Sequence, residues 1–437
     1  MRSVIELLHE GSRIWSDMPY LGEKNGETWA TTSFLQTDRI SLSFAASLVI
    51  RGIKKGDAVA ILSEGRTSWV IAEFGVLKAG GIPVPVTQTL APRQIARRLE
   101  LSGAKAVLVS ERYLRKISGA MSLRGARLPV VCISGKSAEA REALAMCGFT
   151  EGKDAWFLSD MIVEGQHGLD TRPIAAGNAF GGKPLIWVMR EIEKDLREGD
   201  TATLFIDPDE EDNPEVIAVT HSEYLECGLT ACKTGGAARA SRIALNDGWK
   251  TPILFPLETP FAHSAAIYAC LALGTAMHFL PLTEGGTPSL NEVSRQLRSL
   301  KPEYILLTAG IAEGFRADIE RKIGGKGKMA RSIFAKGLNR GIERMGDGTS
   351  RVPFGTRLSC YFPWKAANAL SFPGIRASFG KNARCILTGS GLGDYECRFF
   401  GAIGIPVKRN FALDRKFVRP PAAETAVLTP ERENARL

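Results

Sequence analysis

The densest concentration of ionisable side chains lies between Ile206 and Val216, where Asp207, Asp209, Glu210, Glu211, Asp212 and Glu215 stand without a cation among them. Carboxylates at that density either ligate a hard divalent cation or form a solvated loop. Calcium binding of the EF-hand kind fails on spacing: Asp212 occupies the place that needs glycine for the sharp turn, and Ala218 the place of the bidentate glutamate. The solvated loop is the reading that stands, and no metal is expected. His221 and His263 are acid–base candidates, yet an isolated imidazole beside an apolar helix is more often packed or capping than catalytic. The eight cysteines run from Cys132 to Cys397 with no C-x-x-C pair, which argues against a structural zinc site and a disulfide framework. Reduced, mostly buried thiols are expected. Gly389-Ser390-Gly391, after the apolar Leu387, reads by itself as a strand-to-helix turn.

These side chains belong to a chain of 437 residues, more than one hydrophobic core normally organises, so two packed subdomains are expected. With 44% hydrophobic and 24% charged residues, global disorder is excluded. The first third alternates helix and strand: a helix over Leu42–Arg51, a strand over Ala58–Leu62, a helix over Thr67–Ala79 and a strand over Ile82–Val86. A strand over Ala104–Val109, a helix over Glu111–Ile117 and a strand over Pro129–Ile133 follow, the rhythm of a parallel sheet covered by helices. Glycine, proline and asparagine recur without period from Gly165 to Lys183, which predicts a flexible connection. The rhythm then resumes, with strands over Thr203–Ile206, Ile253–Phe255, Ala276–Leu280, Tyr304–Leu307 and Ala383–Thr388, and with helices over Ser222–Cys232 and up to about Ala402. The expected fold is α/β, with doubly wound subdomains over 1–183 and 184–417 and a polar tail over 418–437.

The apolar stretch Ile267–Leu282 is broken by Gly274 and His278, too short and mixed for a membrane span, and reads as core. The N-terminus lacks the apolar run and cleavage site of a secretory signal, so a cytoplasmic location is expected. The net charge of +9 reads first as a basic, well-solvated surface, with peripheral attraction to an anionic membrane left open and no nucleic-acid partner expected. The most basic segment, Arg321–Arg344, spaces Met329, Ile333, Phe334 and Leu338 near helical period. It predicts a partly buried helix with a charged outer face, or else a surface-lying amphipathic one.

Gly52–Leu90 (GIKKGDAVAILSEGRTSWVIAEFGVLKAGGIPVPVTQTL) carries Lys54-Lys55-Gly56-Asp57, Trp69-Val70-Ile71-Ala72 and Gly80-Gly81-Ile82-Pro83-Val84-Pro85 in order. Together with Ser102–Val107, Pro256-Leu257 and Ile403–Val407, it resembles the adenylate-forming (AMP-binding) superfamily, most of all its long-chain fatty acyl-CoA synthetase branch. The resemblance implies the large N-terminal domain of those enzymes. Its matches are apolar strand residues and turn glycines, which shape a fold without touching substrate.

The residues that carry the family's chemistry are where this sequence departs. The family's phosphate loop is rich in Ser, Thr and Gly and ends in Pro-Lys-Gly, so that N–H groups and a lysine hold the phosphates. Here Pro214 matches, Glu215 replaces the lysine, Val216 replaces the glycine, and the acidic run forms the body. The later motif, aromatic-Gly-Leu-Thr-Glu, corresponds to Phe411-Ala412-Leu413-Asp414-Arg415: Asp414 replaces the phosphate-contacting threonine and Arg415 the magnesium ligand. Gly389, Ser390, Gly391 and Phe411 would form what is left of an adenine pocket. Thr259 takes the place of the histidine near the acyl tunnel, and Phe255, Phe261, Ile267 and Leu271 would line an apolar acyl pocket. The chain ends soon after Phe411, so the family's mobile C-terminal domain is expected to be absent.

The expectation is therefore an acyl-CoA-synthetase-like protein without catalytic residues or cofactor. It would bind a fatty acyl ligand or a protein partner, such as a complete paralogue, or serve only as a scaffold subunit. The alternative is a fatty acid–CoA ligase or acyl-AMP-forming enzyme, using ATP and magnesium through an atypical loop and completed by a separate C-terminal domain.

Overall fold

The computed structural model describes residues 1–170, 183–206, 214–228, 248–280, 289–345, 354–389 and 391–409. A helix over Val4–Trp15 is followed by an antiparallel hairpin, β1 (Pro19–Asn25) and β2 (Thr28–Ser33). The helix Phe34–Ile50 then starts in a capping box: Ser33 Oγ accepts from the Gln36 N–H at 3.1 Å and Gln36 Oε1 accepts from the Ser33 N–H at 2.9 Å. Such reciprocal capping satisfies donors that a helix start leaves open.

Five parallel strands form the first sheet: β3 (Ala58–Leu62), β4 (Ile82–Pro85), β5 (Ala106–Val109), β6 (Val130–Cys132) and β7 (Ala155–Phe157), in the order β4-β3-β5-β6-β7. Helices cover both faces, which is why Ala-Val-Ala-Ile-Leu of β3 is buried at every position. The expected α/β alternation is present, with β3 over the expected residues. The expected helix at Glu111 begins instead as a 3-10 turn over Glu111–Tyr113 and runs as α-helix over Leu114–Arg124.

The expected flexible connection does not begin at Gly165. Residues 158–170 form the helix Leu158–Asp170, packed against Phe34–Ile50 so closely that a Cβ on Gly165 would fall 1.7 Å from the Ser43 carbonyl oxygen. Glycine here serves backbone-to-backbone contact rather than flexibility. Gln166 accepts from Ser43 Oγ at 2.9 Å, and Glu164 bonds Ser47 and Arg51. Residues 171–182 lie outside the described residues.

The second half contributes an antiparallel pair, β8 (Thr201–Ile206) and β9 (Val216–Thr220), then β10 (Lys250–Ile253), β11 (Ala276–Phe279), β12 (Tyr304–Leu307), β13 (Cys385–Thr388) and β14 (Val407–Lys408). β12, β13 and β14 form a parallel sheet in that order. β10 and β11 share a sheet with the N-terminal hairpin in the order β10-β11-β1-β2, so the first 33 residues pair with strands from beyond residue 184. The strand expected over Ile253–Phe255 lies earlier, at Lys250–Ile253, held by β11 and by the Glu303 N–H, which donates to the Lys250 carbonyl at 3.1 Å. One core cluster runs through both halves.

The basic segment forms parts of two helices, Ala309–Gly324 and Lys328–Met345. Phe334, Gly337, Leu338 and Gly341 turn inward, as in the partly buried alternative, but Met329 is 78% exposed and lies off the apolar face.

Candidate functional site

β12 and β13 run parallel with Leu307 opposite Thr388, so their carboxyl ends open side by side, the edge at which open α/β sheets bind ligands. Thr308 caps the helix Ala309–Gly324, its Oγ1 accepting from the Ile311 N–H at 3.4 Å. Gly389 follows β13, and a Cβ on Gly391 would meet Ala309 Cβ at 3.7 Å, so the glycine turn lies against this helix start. The Thr388 hydroxyl is fully buried here with no hydrogen-bond partner among the described residues. The cations at this edge are matched by acids of the helix Asp394–Ala402: Arg316 Nε lies 3.2 Å from Glu396 and Arg409 Nη1 lies 2.7 Å from Asp394.

Ser390, Phe411, Asp414 and Arg415 lie outside the described residues, as do Asp207, Asp209, Glu210, Glu211 and Asp212. β8 and β9 pair through Ile206 opposite Val216 and bracket the acidic run. Pro214 is buried and Glu215 exposed at its far end.

The four residues expected to line an acyl pocket are distributed along packed core. The Phe255 and Phe261 rings touch at 5.6 Å. The Ile267 carbonyl accepts from Tyr20 Oη at 3.0 Å, and Leu271 packs under Gly11 of the N-terminal helix. Thr259 acts as a cap: its Oγ1 accepts from the Ala262 N–H at 3.2 Å, where the buried π-helical turn Ala262–Tyr268 begins. Next to it Glu258, half-buried, accepts from the backbone and side-chain N–H groups of Gln88, both at 3.3 Å. Burial pushes its carboxyl up to about 7. His221 is buried beside the first helix, where its Nδ1 accepts from the Val4 N–H at 3.4 Å and burial lowers it to about 4. Its role is structural.

His263 is the centre of a polar group that the sequence reasoning did not assemble. Its Nε2 lies 3.4 Å from Glu73 Oε2, its Nδ1 is 3.2 Å from the Thr259 carbonyl, and Tyr268 Oη donates to Glu73 Oε1 at 2.6 Å. Trp69, Phe205 and Tyr224 ring the imidazole at 5.3, 4.9 and 6.2 Å. Burial pushes Glu73 up to about 8 and His263 down to about 3, so at neutral pH both are uncharged. Nδ1–H then donates to the Thr259 carbonyl, while Glu73 Oε2 and His263 Nε2 lie 3.4 Å apart as two buried, uncharged groups rather than as an ion pair, neither atom with a hydrogen bond among the described residues. A glutamate inside the apolar run Trp69–Leu77 was the available signal, because an ionisable group on a buried helix face demands a partner.

Lys78, on the same helix, is likewise buried, with Nζ 2.5 Å from Asp38 Oδ1. His9 bridges Asp38 at 3.3 Å and Glu193 at 3.1 Å, tying four helices together. Among the described residues no three His, Cys, Asp or Glu side chains are placed to share a metal ion.

Residues 14–174 match the AMP-binding enzyme family. The long-chain-fatty-acid–CoA ligase of Salmonella typhimurium is 32% identical over 113 residues, which are 26% of this chain and 19% of that protein. The match therefore spans about a fifth of the curated relative's length. The adenylation domain of a carboxylate reductase from Mycobacterium chelonae superposes with a TM-score of 0.63 at 14% identity, over 93% of this chain and 57% of that one. The N-terminal domain of FACL13 from Mycobacterium tuberculosis gives 0.55 at 13% identity, over 94% of this chain and 76% of that one.

Proposed function

We propose that this chain, a member of the adenylate-forming superfamily, has given up ATP-dependent adenylation and acts as an acyl-CoA-synthetase-like binding or scaffold protein. The observation that carries the reading is the composition of the segment between β8 and β9: six carboxylates and no cation, ending in Pro214-Glu215-Val216. Replacing a phosphate-binding lysine forfeits a charge-assisted hydrogen bond of roughly 1.5–3 kcal/mol. Each carboxylate brought near a phosphate adds about 1 kcal/mol of repulsion even in water. Together these weaken nucleotide binding by about a hundredfold or more, since each tenfold is about 1.4 kcal/mol.

The acyl site supports a partner-binding role over a ligand-binding one. Phe255, Ile267 and Leu271 are at most 2% exposed, and aromatic rings enclose His263 on the same buried turn. The opposing reading, an adenylating enzyme with an atypical loop, draws on the glycine turn at Gly389 and Gly391 and on the buried, unbonded Thr388 hydroxyl, the remnants of a nucleoside edge. Calorimetric titration with ATP and magnesium separates the two. No saturable heat is expected at millimolar nucleotide; micromolar binding promotes the enzyme.

A further inference from the structure

The helix Phe354–Leu370 carries its large apolar residues on the outside. Its inward face is small: Cys360 and Ala367 are buried against the helix Lys328–Met345, where a Cβ on Gly337 would fall 2.0 Å from Ala367 Cβ. Its outward face presents Phe354, Leu358 and Phe362 on successive turns, 81%, 54% and 71% exposed, with Leu370 at 73% near its end. A contiguous apolar helix face of this kind marks a surface that something covers.

The surrounding charge selects the occupant. Arg357 and Lys365 are exposed on the same helix, and the neighbouring helix exposes Lys328, Arg331, Lys336 and Arg340. Glu343, bonded to Arg340, is the one acid on these two helices. Arg344 lies over the Trp364 and Tyr361 rings at 4.5 and 5.4 Å, fixing a further cation between the helices. Two copies meeting through this face would bring like charges together, whereas apolar side chains rimmed by cations match a lipid surface bearing negative headgroups.

We infer that the helix pair 328–345 and 354–370 docks the protein peripherally on an anionic membrane surface, with Phe354, Leu358 and Phe362 entering the headgroup boundary and the flanking lysines and arginines facing the phosphates. No described helix is long and apolar enough to cross a membrane, so the attachment is to one leaflet.

Flotation of the full chain with phosphatidylcholine vesicles, with and without about one-third phosphatidylserine, tests this directly. Binding is expected on the anionic vesicles alone, declining as salt is raised. The double substitution Leu358→Ser and Phe362→Ser alters exposed side chains and should leave the melting transition in place while lowering vesicle binding more than about tenfold. Replacing Lys328, Arg331 and Lys336 with Ser should also weaken it. Equal binding to neutral vesicles, no binding, or unchanged binding by the variants overturns the inference. So does a wild-type dimer in light scattering that the double substitution makes monomeric, which would identify a self-interface.

Discussion

Glu73 Oε2 and His263 Nε2 face each other at 3.4 Å in the fully buried core, where burial raises the glutamate to about 8 and lowers the histidine to about 3. The groups around them are Tyr268, bonded to the other carboxylate oxygen, and Tyr224, stacked on the imidazole and tilted against the Tyr268 ring. No cation is among these neighbours to stabilise an ionised Glu73.

Stability should therefore fall as pH rises across the window set by Glu73. Its ordinary value is 4.5 and its folded value about 8. Between them the folded protein keeps a proton that the unfolded chain releases, so stability declines through this range and levels off above about 8. Urea unfolding from pH 5 to 9 should show a loss on the order of 4 kcal/mol from this group, scaled from about 1.4 kcal/mol per pKa unit. Glu73→Gln, which is close in size but does not titrate, should flatten that part of the profile.

A second pH dependence belongs to His9. Asp38 and Glu193 hold its proton and raise it from 6.5 to about 9, against burial, which opposes the charge. The stabilising contribution is fully present below 6.5 and lost as pH rises through about 9. Asp38 is held well below its ordinary value by His9 and Lys78 despite burial, so its contribution is lost only in strong acid. His9→Gln should remove the upper phase and leave the Glu73 phase, which thermal melts at pH 6, 8 and 10 can separate.

Gly165→Val should cost about 3 kcal/mol or more, because any Cβ there meets the Ser43 carbonyl oxygen and the two helices must move apart. Equilibrium denaturation measures it. A loss below about 0.5 kcal/mol, the range of ordinary surface substitutions, would show that the contact is not close.

The elements that could be read from sequence were those whose signal is local. Ala58–Leu62 and Tyr304–Leu307 are short apolar runs between turns, and both form strands over those same residues. β2 was not legible because Thr28–Ser33 is an exposed edge strand, polar at most positions, that exists through its pairing with β1. The helix at 158–170 was obscured by Gly165, whose role depends on a helix more than a hundred residues earlier. The acidic run 207–212 and Glu215 needed only composition. The Glu73–His263 contact joins the helix Thr67–Lys78 to a distant π-helical turn, and no spacing rule connects them.

Substituting the charges that the resemblance leads one to expect at two positions should not confer adenylating activity. In the double substitution Glu215→Lys and Arg415→Glu, five acidic residues remain between Asp207 and Asp212. Thioester formation measured with a thiol reagent should stay at the background rate. A rise of tenfold or more, about 1.4 kcal/mol of barrier, would show that the charges at those two positions alone limit the reaction.

Fatty-acid-dependent exchange of labelled pyrophosphate into ATP tests the central claim most directly, because it reports adenylation without needing any later step. Adenylation depends on groups that stabilise the charge developing on the reacting phosphate, the largest catalytic contribution in most such reactions. At the two positions that the sequence resemblance aligns with this task, Glu215 and Arg415 carry the opposite charges to those expected. The expected result, across short, medium and long acyl chains, is exchange indistinguishable from the no-protein control. Exchange clearly above that control, dependent on the fatty acid and abolished by substitutions between Asp207 and Glu215, would contradict the account.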